Sequence, residues 1–110
     1  MAIPNAFRQP RIPSEVPRVR QMLRRLSRRQ RSLGINLITK FWNESNRNEE
    51  AAVAAFQSHL NDNAKEYNID PATIILLVQL AILIYKALVY LEVLGPVSPG
   101  LVTLVAGETE

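Results

Sequence analysis

From Ala72 to Leu91 the chain reads ATIILLVQLAILIYKALVYL, twenty residues of which twelve are Ile, Leu or Val. Only Gln79 and Lys86 in this run are strongly polar. A strand is excluded, because strands are short and no Gly, Pro, Asn or Asp punctuates the chain between Ala72 and Leu94. As a helix the run would be about 30 Å long, the hydrocarbon thickness of a bilayer. Asp70-Pro71 is a standard start, an Asp cap with Pro in the first turn. Gly95-Pro96 is the expected stop, so a long apolar helix is predicted over 71–95.

Lipid and protein are both candidate surroundings for this helix. Its Ile, Leu and Val residues together favour insertion by about 4 to 7 kcal/mol. Lys86 opposes insertion by about 3 kcal/mol at mid-membrane, and by less near the helix end where it can snorkel. Gln79 and Lys86 are seven residues apart, so they share one stripe with Ala72 and Val93. A lone polar stripe on an apolar helix reads as a face turned toward protein, which makes Gln79 and Lys86 the expected helix interface. The competing reading is the central helix of a soluble bundle.

The remaining sequence is too short for a second domain. Charge divides it sharply. Residues 1–34 hold nine arginines against Glu15, for +8, whereas residues 35–110 hold four basic residues against nine acids, for −5. Residues 1–13, with three prolines, are expected to form an extended arm. An Arg-rich amphipathic helix is expected over 14–34, from a Ser14 cap to Gly34, with Val19, Met22, Leu23, Leu26 and Leu33 at helical spacing. Arginines cover its other faces, and like charges at Arg24/Arg28 and Arg25/Arg29 would repel without a counter-charge. Arginine also grips phosphate through two parallel hydrogen bonds. Arg18, Arg20, Arg24, Arg25, Arg28, Arg29 and Arg31 are therefore the expected anion-binding residues.

The anion is a nucleic-acid backbone, an acidic lipid surface or an acidic protein surface. Stacking recognition of single strands is disfavoured, because Phe7 is the only aromatic residue before Phe41. The arginine-rich, acid-poor start also has the composition of a mitochondrial transit peptide, but it lacks the continuous apolar core of a secretory signal peptide.

Residues 35–70 read as a helical linker region. Ile35, Leu37, Ile38, Phe41 and Trp42 suit a short apolar helix, and Val53, Phe56, Leu60, Ala64 and Tyr67 line one face of an amphipathic helix. Residues 96–110 are expected to be an extended tail, with LVTLV at 101–105 as a short strand or an apolar packing segment.

Chemistry-bearing patterns are sparse. The chain has no cysteine, no Gly-rich phosphate loop, no zinc pattern and no supported Ser/His/Asp set. His59, Asp62 and Glu66 fall on one helical face, but a solvated face is the better reading of them than a metal site. No catalytic residue, metal or cofactor is expected. The chain is thus expected to be all-α and non-enzymatic, a small structural subunit of a larger assembly and foremost a minor virion protein. It would be anchored by a single-pass membrane helix, with the N-terminus on the cytoplasmic or genome-facing side. The alternatives are a soluble helical nucleic-acid-binding protein with 72–91 as its core helix, or a minor subunit of a membrane-bound energy-conversion complex.

Overall fold

A computed structural model of the chain describes residues 17–93 and 95–107. Five helices follow one another: α1 Pro17–Arg24, α2 Arg28–Glu44, α3 Glu49–Tyr67, α4 Pro71–Tyr90 and α5 Pro99–Gly107. The described residues are helices and turns, with no strand among them. The expected arm over 1–13 and the expected Ser14 cap lie outside the described residues.

The long apolar helix forms where its sequence places it. Asp70 caps α4 by accepting a hydrogen bond from the Thr73 backbone N–H at 2.8 Å, and Pro71 opens the first turn. Hydrogen bonds from Thr73 hold the Asp70 carboxyl below the usual carboxylate range. At its other end α4 stops earlier than Gly95-Pro96 would require. Glu92 takes a left-handed conformation (φ 53°), and the Val93 N–H reaches back to the Leu88 carbonyl at 3.2 Å. That is the turn a glycine commonly makes, here made by a glutamate.

α4 is long and apolar enough to cross a membrane by length and composition. In this fold it is the central helix, in contact with each of the other four. Ile74, Leu77, Leu80, Ala81, Leu83, Ile84, Tyr85, Ala87 and Leu88 are all buried against them. Burying each large side chain contributes about 1.5–3 kcal/mol, so much of the core's stability passes through this one helix. The Tyr85 ring stacks on Trp42 of α2 with centroids 5.3 Å apart, and its hydroxyl donates to the Ile38 carbonyl at 2.8 Å.

Three local expectations change. The single helix expected over 14–34 is two helices. Ser27 has an extended backbone, its side chain accepts from the Gln30 N–H at 3.1 Å, and the Gln30 side chain accepts from the Ser27 N–H at 3.0 Å. This reciprocal capping box starts α2 afresh. Gly34 does not close a helix; it lies inside α2 where α2 crosses α4. A Cβ at Gly34 would come within 2.9 Å of Leu77 Cδ2, so the glycine permits the close approach.

The tail over 96–110 is helical from Pro99 to Gly107 rather than extended. Ser98 caps it by accepting from the Leu101 N–H at 3.1 Å. Val102, Val105 and Ala106, one helical turn apart, enter the core. Asn43 pins the approach to this helix, donating to the Val97 carbonyl at 2.8 Å and accepting from the Val97 N–H at 2.9 Å.

Candidate anion-binding corner

The arginines collect where α1 meets α2. Arg18 and Arg20 lie in α1, Arg24 ends it, Arg25 is in the connecting turn, and Arg28, Arg29 and Arg31 occupy the first turns of α2. The capping box at Ser27 separates the two helices by starting α2 afresh. Arg24, Arg25, Arg28, Arg29 and Arg31 are exposed, and their guanidinium groups pair with no acid among the described residues.

The start of α2 forms a ridge between two grooves. On one side Arg28, Arg31, Ser32 and Asn36 face Pro99, Gly100 and Thr103 of α5 across a space of about 480 Å³. On the other, Arg29 and Gln30 face Tyr67, Asn68 and Ile69 across about 440 Å³. Leu23 and Ile35 floor the first groove. Arginines thus stand on both flanks of one helical ridge, Arg28 and Arg31 on one and Arg29 on the other.

α2 opens with Arg28 and Arg29 and has no acidic residue in its first turn. The positive end of a helix dipole disfavours cations there by about 0.3–1 kcal/mol each. Nothing in the packing requires these charges, since both side chains are exposed.

The apolar stripe of the same segment has a different fate. Val19, Met22 and Leu26 are 0%, 7% and 4% exposed, sealed against the bundle. A basic helix lying on a membrane would need that stripe in the headgroups. In this fold it is already occupied.

The other singled-out residues separate. Gln79 and Lys86 share one face of α4, as their spacing requires, and both are exposed on the outside of the bundle. His59 does not join Asp62 and Glu66. Its Nε2 lies 2.6 Å from the Tyr67 hydroxyl and its ring packs on Phe41 at 5.3 Å, with Asn63 beside it. No group of three metal-ligating side chains occurs among the described residues. Sequence reasoning missed the α5 wall of the first groove. The Ser98-Pro99 start signal could have revealed it, being the same kind of signal as Asp70-Pro71. Compared with known protein families, characterised proteins and solved structures, the chain matches none.

Proposed function

We propose that this chain is a non-enzymatic structural subunit whose arginine corner holds the phosphate backbone of a nucleic acid. The observation that carries the reading is the start of α2. Two exposed arginines sit where the helix dipole opposes them and no acid among the described residues relieves them, so a counter-charge from outside the fold fits best. Burial of Val19, Met22 and Leu26 favours a polyanion in water over a lipid surface. Contacts of this kind position a backbone without reading bases. A minor component of a virion or other nucleoprotein particle is the assembly that fits best.

The test is fluorescence anisotropy with short duplexes of different sequence over a salt series. Each phosphate neutralised contributes a slope of about −0.9 in log affinity against log salt, so four or five engaged arginines give about −3.6 to −4.5. The expected result is a slope in that range, equal for all sequences. Absence of binding at low salt, or a slope near zero, contradicts the reading.

A second reading keeps α4 as a single membrane anchor with the arginines on the cytoplasmic or genome-facing side. The length and composition of α4 favour it. It requires α4 to leave the four helices packed on it, and with them the Tyr85–Ile38 hydrogen bond. Carbonate extraction separates the two: retention of the full-length chain in the membrane pellet supports the anchor, and recovery in the supernatant removes it.

A further inference from the structure

The outward face of α4 carries Ala72, Ile75, Gln79, Ile82, Lys86 and Val89, at alternating spacings of three and four residues. That is the repeat of a helix seam packed against another helix. Ile75 and Val89 are 60% and 52% exposed, and four of the five exposed large apolar residues lie on α4 or immediately after it. The other faces of α4 are covered by α1, α2, α3 and α5. A single exposed apolar residue means little, but a periodic row along one helix is an unpartnered face.

We propose that this face pairs with α4 of a second copy of the chain, antiparallel, about a two-fold axis beside Ile82. Self-complementarity of the face selects the partner, and charge selects the direction. A parallel pair would set Lys86 against the partner's Lys86. It would also bring the two arginine corners together, because Arg29 lies across a groove from Asn68 and Ile69 at the start of α4. The antiparallel pair avoids both. It sets Gln79 level with the partner's Lys86, so that the amide oxygen accepts from the ammonium, and symmetry makes this contact twice. Ile82 meets its own copy on the axis, and Ile75 lies near the partner's Val89. Polar residues inside such a seam fix its register and direction.

The arginine corners then lie at opposite ends of the dimer, where they can reach two separate polyanion segments. That last consequence rests on the nucleic-acid reading; the dimer does not.

Analytical ultracentrifugation of the full chain, free of nucleic acid and detergent, tests the pairing over about 1–500 μM, a range suited to a modest interface. The mass is expected to rise with concentration toward twice the 12.4 kDa of the chain. Ile82→Glu places two carboxylates on the axis and is expected to weaken the dimer at least about tenfold, with its helical circular dichroism unchanged. Gln79→Glu is the sharper variant. It creates two ion pairs with the partner's Lys86 and is expected to tighten the dimer by about threefold to tenfold. In a parallel dimer the same change would set glutamate against glutamate and loosen it. A monomer throughout the range, a folded Ile82→Glu chain that dimerises like the wild type, a loosened Gln79→Glu dimer, or self-association only on added lipid vesicles each overturns the proposal. Repeating the wild-type series with a saturating duplex keeps the readings apart, since a dimer formed without nucleic acid survives a failure to bind it.

Discussion

α2 and α3 are neighbours of similar length, and their first turns carry opposite charge. α3 starts with an Asn48 cap followed by Glu49 and Glu50, acids at the positive end of the helix dipole. α2 starts with a Ser27 cap, a full capping box, and then Arg28 and Arg29. At the start of α3, cap and charge both favour the helix. The start of α2 has a stronger cap and the wrong charge for its dipole. The second half of α2, from Gly34 to Trp42, is mostly buried against α3, α4 and α5, so the ridge is held from behind and can carry charges that a free helix would not. The first-turn charges thus add to the cap in α3 and work against it in α2.

The largest expected effect comes from removing what holds the ridge. Trp42→Ala takes away the ring stacked on Tyr85 and should cost about 3–5 kcal/mol in urea unfolding. Duplex binding should disappear with the fold, which makes the charged half of α2 dependent on the buried half. If binding survives in an unfolded Trp42→Ala chain, arginine content alone suffices and the ridge is irrelevant. Gly34→Val sits between the halves, where any Cβ meets the Leu77 side chain. It should cost about 1–3 kcal/mol by displacing the fully buried Leu77 side chain. An effect below a few tenths would mean that the Leu77 side chain moves aside at little cost.

The caps give the smallest of these effects and the finest comparison. Asn48→Ala removes one cap hydrogen bond from a favourably charged start and should cost about 1 kcal/mol. Ser27→Ala removes the hydroxyl that accepts from the Gln30 N–H; with the first-turn charges opposing the dipole the cap carries more of this start, so the loss should be the greater of the two. Equal losses would show that the charges at Arg28 and Arg29 do not strain the start of α2.

Much of this fold is written locally. Asp70-Pro71 announces α4, and the spacing of Val53, Phe56 and Leu60 announces the packed face of α3. What could not be read locally depends on partners distant in sequence. Gly34 has the look of a helix end until Leu77 is placed against it. The segment 101–105 has strand-like composition until Val102 and Val105 find the core and Asn43 fixes Val97. Glu92 gives no sign of a left-handed turn, because the hydrogen bonds closing α4 are made by backbone and not by the side chain. Two further boundaries do carry local signals: the Ser27…Gln30 capping box and the Ser98-Pro99 start. At the candidate site the arginines themselves were legible. The burial of Val19, Met22 and Leu26 was not, because it requires the rest of the bundle.

The most direct measurement is a paired one on Arg28→Glu/Arg29→Glu, with Ser27 and Gln30 left in place. If these arginines are kept for an external polyanion at the expense of their own helix, the double reversal should raise unfolding stability at low salt by about 0.6–2 kcal/mol. The same protein should bind a duplex at least about tenfold more weakly, with a salt slope shallower by about two units. Stability and affinity moving in opposite directions is the predicted result; a double variant that is less stable, or one that binds the duplex as the wild type does, would contradict it.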